Sequence, residues 1–254
     1  MKNNRNILFS VVLVHFLMMN VAYQLLAIYF EFPDVLRFKT IDMFNLFLKN
    51  QTIVRPAYYL FTLTGITFFT IAFFIYESFE KKTTLGRLSM AFGCLAGLLT
   101  SFGFIRWVFV IPEMANSYIE NQGLESINMI IESNIKLIHS YSGVALGENL
   151  AFLFQGLWLF TLSFDLLSSQ TKDKKLFIPP MLIGVGIMIY SLEQFGGVFS
   201  HLAVINIPLQ ASWLVWLMSL AWSLKKSEER NGVQLSGRET AFFSLLLLII
   251  MLTI

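Results

Sequence analysis

Six side chains able to carry charge or donate hydrogen bonds stand where the chain is otherwise apolar. They are Arg106 in SFGFIRWVFVIP, Glu148 and Asn149 in HSYSGVALGENLAFLFQGLW, Glu193 and Gln194 just before GGVFS, and His201 just after it. A charge inside a membrane helix costs about 2.5–3.5 kcal/mol on insertion scales, so each such residue needs a partner or a role. Arg106 lies five residues before the end of its apolar run and Glu148 six after the start of the next. At 1.5 Å rise per residue they are about 7 Å and about 9 Å deep from the same side. Consecutive helices are usually neighbours, so the expected arrangement is an Arg106–Glu148 ion pair. On that reading Glu148→Gln destabilises the protein by leaving a buried arginine unpaired.

With Asn149, Glu193 and His201, the pair outlines an outward-facing polar pocket for a small molecule or lipid headgroup, with the ion pair as its floor. Gln24 and Gln155 lie towards the same side, Gln155 seven residues after Glu148 and on the same α-helical face. The inner half holds little beyond Asp165. The alternative is a structural or regulatory membrane protein in which Arg106 and Glu148 are a purely structural ion pair. A membrane-embedded enzyme is a second alternative, for which no catalytic residue is assigned.

Several chemistries lose their carriers. There is no HExxH, CxxC, glycine-rich phosphate loop or GxSxG elbow. His139 and His201 with Glu148 or Glu193 have the donor types zinc accepts, but interfacial histidines are commonly solvated, and no metal ligand set is assigned. His15 is mid-span while the other two histidines are near the surface, so no two stand level as haem ligands. No lysine falls inside the six main spans to form a Schiff base, and no cofactor is implied. The single cysteine, Cys94, excludes an intramolecular disulfide. A net charge of +2, scattered in short clusters, does not fit nucleic acid. The expected partners are the lipid bilayer and a small-molecule or lipid ligand.

The elements that hold these residues follow from composition. With 56% hydrophobic residues, 13% charged and a mean hydropathy of +0.67, the chain has the bilayer as its main solvent. Six stretches of about 20 or more apolar residues predict an all-α bundle in one integral membrane domain: 7–30, 56–76, 88–111, 142–167, 177–196 and 199–224. A short seventh helix is expected over 241–254. The run 7–30 is too long for a signal peptide and lacks a clear cleavage site, so it reads as an uncleaved first span. Twelve Lys and Arg flank one side of the bundle and five the other, which predicts a cytoplasmic N-terminus and a multi-pass protein of the cytoplasmic membrane. Residues 31–55 mix charges with Val35, Leu36, Phe38, Phe44 and Phe47 and suit an amphipathic helix capping the outer end. The third connection, with Glu113, Glu120, Glu125, Glu132 and Lys136, suits another short helix. Gly93 and Gly97, and Gly143 and Gly147, are pairs at i, i+4 that permit close helix approach. Pro208 is expected to kink the sixth span. The tryptophans read as packing and interface anchors.

FPDVLR (32–37), GLLTSFGFIRWVFVIP (97–112), the stretch 139–158 and QASWLVWLMSL (210–220) together resemble bacterial polytopic membrane proteins of domain-of-unknown-function family 4386. The resemblance spans most of residues 7–224. It implies an all-helical bundle in a bacterial cytoplasmic membrane and no particular activity. The chain departs from that family's pattern at Asn149, where a histidine is common.

Overall fold

The computed structural model describes residues 2–79, 81–168 and 174–230, and the expected segment 241–254 lies outside these described residues. The chain is all-α among the described residues. Its helices are α1 (Lys2–Phe30), α2 (Thr40–Lys49), α3 (Gln51–Ser78), α4 (Thr84–Glu120), α5 (Glu125–Ile138), α6 (Ala151–Ser168), α7 (Lys174–Tyr190) and α8 (Asn206–Arg230). A π-helical segment, His139–Leu150, joins α5 to α6, and 3-10 turns cover Ser191–Phe195 and Gly197–Ile205. Among the described residues six helical stretches are long and apolar enough to cross a membrane, making this a multi-pass membrane protein.

Neighbouring spans pack in chain order, α1 on α3, α3 on α4, α4 on α6, α6 on α7 and α7 on α8, and α8 returns to α1 to close the ring. The stripe that α1 turns inward is Leu8, Val12, His15, Ala22, Leu26 and Phe30, while Leu13, Val14, Leu17, Val21 and Ile28 face outward. These buried positions recur every three, four or seven residues, the spacing of one helical face. Two cores fill the ring. One, around Phe68, Trp158, Trp213 and Trp216, lies towards the lysine-rich end. The other, around Phe30, Phe47, Tyr58 and Trp107, lies towards the opposite end.

The glycines work between helices. A Cβ on Gly97 would lie 2.5 Å from the Gly65 carbonyl oxygen, and one on Gly65 would strike the Gly97 carbonyl in return, so α3 and α4 touch backbone to backbone. Gly103 and Gly147 join α4 to the π segment in the same way, each Cβ falling 2.7 Å from the other's Cα. Gly156 and Gly184 join α6 to α7, with corresponding distances of 2.6 and 2.8 Å to the facing carbonyl. Without a hydrophobic driving force between helices in lipid, such close contacts supply much of the association energy.

At 37 residues α4 is about 55 Å long, well beyond a hydrocarbon core of about 30 Å. Together with α5 it rises past the ring as a hairpin. The expected amphipathic cap is α2, whose Phe44 packs on Tyr118 and whose Phe47 lies beside Trp107. The expected kink at Pro208 does not arise. Residues 197–205 form 3-10 turns and α8 begins at Asn206, so the proline occupies the first helical turn, where its missing N–H leaves no bond unmade.

At the lysine-rich end, Thr83 caps α4. Its hydroxyl accepts from the Gly86 N–H at 2.8 Å and donates to the Asp165 carboxylate, at 2.8 and 2.7 Å from the two oxygens. Asp165 thus ties α6 to the start of α4. Thr83→Ala removes the cap and leaves Asp165 without this donor, so it is expected to cost about 1–2 kcal/mol, with Thr83→Ser close to wild type. Unfolding of the two variants by SDS in mixed micelles measures the difference.

Candidate functional site

The site forms where α4, the π segment and the α7 terminus meet, at the end opposite the lysine-rich connections. The helix running from Glu125 to Ser168 changes pitch between His139 and Leu150, where i→i+5 bonding replaces i→i+4. The consequence lies in which residues share a face. His139 and Glu148 are nine residues apart, about two and a half turns of an α-helix, which would set them on opposite sides. With the wider turn of a π-helix, nine residues make about two turns. His139, Gly143 and Glu148 therefore come round to one side, towards Arg106 and the end of α7.

Arg106 is 6% exposed. Its Nη1 donates to the carbonyl of Gly103 one turn back on α4, and Nη2 lies 3.4 Å from His139 Nδ1. The guanidinium carbon is 5.6 Å from the centre of the Trp107 ring. The backbone opposite is Gly143, where a Cβ would fall 2.5 Å from Nη2, so any side chain there would displace the guanidinium from this position. Its Nε–H is buried and has no protein partner.

The expected Arg106–Glu148 contact is not made. The ion pairs formed within 4.0 Å include Arg37–Asp34 and Lys82–Glu77, and none joins Arg106 to Glu148. Antiparallel packing explains this. Gly103 touches Gly147, and the Arg106 guanidinium, turned back to the Gly103 carbonyl, lies against Gly143, so Glu148, just beyond Gly147, sits deeper than the guanidinium. Arg106 and Glu148 still act on each other electrostatically across the gap.

Glu148, half-buried, faces the α7 end. It is within electrostatic range of Glu193 and Tyr190, and the Gln194 amide is aimed at its carboxylate. Gln194 Nε2 also donates to Glu193 Oε2 at 2.7 Å. Asn149 donates from Nδ2 to the Ser191 carbonyl at 2.7 Å and so pins the π segment to the turn that carries Glu193.

Of the expected site residues, Arg106, Glu148, Asn149 and Glu193 come together. His201 does not: it is exposed on the 3-10 segment Gly197–Ile205, because α7 ends early and this segment carries it outward. Gln24 is exposed on α1, and Gln155 pairs instead with Gln210 of α8, at 3.1 and 3.3 Å. Among the described residues no three His, Cys, Asp or Glu side chains gather as a metal site. The structure adds Tyr190 and brings His139 and Gln194, both noted in the sequence but not assigned to the pocket, into the site. Gln194 was visible beside Glu193, but no sequence signal announces the pitch change that brings His139 round.

No family model matches the chain, and no curated protein or solved structure matches it.

Proposed function

We propose that the chain binds a small polar molecule or a lipid headgroup at this site, opening to the outer side of the cytoplasmic membrane of a bacterium. The observation that carries the reading is the π segment. It turns His139 and Glu148 to one side at the cost of regular helix geometry, and π turns concentrate at functional sites. The charge arrangement gives a second support. A guanidinium and two carboxylates stand close without direct contact, so each retains hydrogen-bonding capacity that a ligand can fill. One cation facing two anions suits a zwitterion, with its anionic group at Arg106 and its ammonium group at Glu148 and Glu193. Such ligands include an ethanolamine phospholipid headgroup and free phosphoethanolamine.

Thermal unfolding in detergent with short-chain phosphatidylethanolamine, phosphatidylglycerol or free phosphoethanolamine tests this. A ligand at 100 times its Kd stabilises by about 2.7 kcal/mol. Stabilisation by the zwitterion over the anionic lipid, lost in Glu148→Gln, supports the proposal. Because the carboxylate makes no direct ion pair, Glu148→Gln itself is expected to fold with little loss of stability. No stabilisation by any probe, or equal stabilisation of the variant, counts against ligand binding here. The resident hydrogen bonds of Arg106 favour a second reading, a structural clamp joining α4 to the π segment. On that reading Arg106→Gln destabilises the protein while none of the probes binds either form.

A further inference from the structure

The centre of the ring holds a second polar constellation, independent of the ligand site. His15 is 2% exposed and stands on the buried stripe of α1. Its Nδ1 lies 2.7 Å from Thr67 Oγ1, and that hydroxyl donates its single proton to the Thr64 carbonyl at 2.9 Å. Thr67 can therefore only accept from His15, which places the ring proton on Nδ1. In the neutral ring that an apolar interior demands, Nε2 is then a bare acceptor, and it is buried with no protein partner. Edge-on to His15, with ring centres 5.6 Å apart at 82°, is Trp213. Its Nε1–H is likewise buried and has no protein acceptor. An acceptor and a donor without partners thus occur in one ring contact.

The pattern continues along α8. Asn206, Gln210 and Trp213 follow one another at i, i+4 and i+7, on one helical face. Asn206 Oδ1 is also buried without a protein partner, and Gln210 is held by Gln155 across the α6–α8 contact. Beyond His15 towards the lysine-rich end the lining is mainly apolar, with Leu8, Val12, Ile71, Ile75 and Leu217 among it, and two serine hydroxyls there, Ser163 Oγ and Ser223 Oγ, are also buried without a protein partner.

We propose that a hydrated track runs along the Asn206–Gln210–Trp213 face of α8 from the end opposite the lysine-rich connections and reaches His15. A water between Trp213 and His15 accepts from the indole N–H and donates to Nε2. Buried polar groups without protein partners are the usual hosts of internal water, and each water needs such donors and acceptors around it. The track gives His15 access to water from the end opposite the lysine-rich connections. It requires no ligand at the Arg106–Glu148 site.

Radiolytic hydroxyl labelling of the full chain in detergent tests this, because it oxidises side chains next to bound water even when they are buried. Trp213 and Trp216 form an internal comparison. Both are buried on α8, but Trp216 Nε1 donates to the Leu176 carbonyl at 3.0 Å. Trp213 is expected to be oxidised several-fold faster than Trp216, and Gln210→Leu is expected to slow Trp213 alone. Equal protection of the two tryptophans in the wild-type chain overturns the proposal, and that comparison stands even if the variant fails to fold. So does a folded Gln210→Leu variant in which Trp213 labelling is undiminished.

Discussion

Gly97→Leu is expected to prevent stable folding. The Cβ alone would approach the Gly65 carbonyl oxygen to 2.5 Å and the Phe69 backbone N to 2.7 Å. Both obstacles are backbone, so no rotamer change relieves them, and α4 must move away from α3 along the most extensive helix contact in the ring. Overpacking of a close-packed interior typically costs 1–3 kcal/mol, on the order of a large fraction of the stability of a small domain. The larger leucine at a backbone contact belongs at or above the top of that range. Loss of a monodisperse species on size exclusion and early unfolding in SDS measure the effect. Gly186→Ala is the control. There the Cβ meets only the ends of the Leu209 side chain, nearest at 2.7 Å, and a terminal methyl can shift at small cost. If both substitutions are equally tolerated, glycine contacts are not what holds α3 to α4.

Trp107→Ala is the second large effect. Trp107 is 2% exposed and stacks on Tyr58 with ring centres 4.7 Å apart and planes at 5°. Phe30 meets it edge-on at 5.4 Å and Phe47 lies at 6.4 Å, so one ring joins α1, α2 and α3 to α4. Aromatic-to-alanine changes in packed cores cost about 3–5 kcal/mol, and the loss of dispersion contacts persists even where the unfolded reference is lipid. The substitution also removes the ring beneath the Arg106 guanidinium. SDS unfolding should therefore show a large loss of stability together with weaker probe binding at the site. Trp107→Phe, which keeps a ring in the stack, should recover most of the stability. An alanine variant as stable as wild type would mean that α2 and the outer aromatic core contribute little to the bundle.

How much of this was legible beforehand varies by element. The spans were readable because a bilayer of fixed thickness demands about 20 apolar residues per crossing, and the amphipathic α2 because charges alternate with Phe44 and Phe47 at helical spacing. Arg106, Glu148, Asn149 and Glu193 were readable as site residues because polarity inside an apolar run is rare. Their mutual geometry was not. Counted from the ends of the apolar runs the two depths match, whereas α4 and α5 both extend past those ends as a hairpin, and the register is fixed by Gly103 against Gly147. A regular α-helix would set Gln155 on the face of Glu148, but the pitch changes at the π segment, and Gln155 turns to Gln210.

By itself the sequence determined the class of protein, the six long apolar stretches of the described residues and which polar residues are set among them, since all three depend on local composition against a fixed bilayer. Only the tertiary structure decided which face of each helix points inward, because α1 is apolar on every side and hydropathy cannot separate its lipid face from its core face. It alone decided that Arg106 bonds the Gly103 carbonyl and approaches His139 instead of closing on Glu148, since that follows from helix register and a change of pitch. It also set His15 against Trp213 in the centre of the ring, which depends on α8 returning to α1 across nearly the whole described chain.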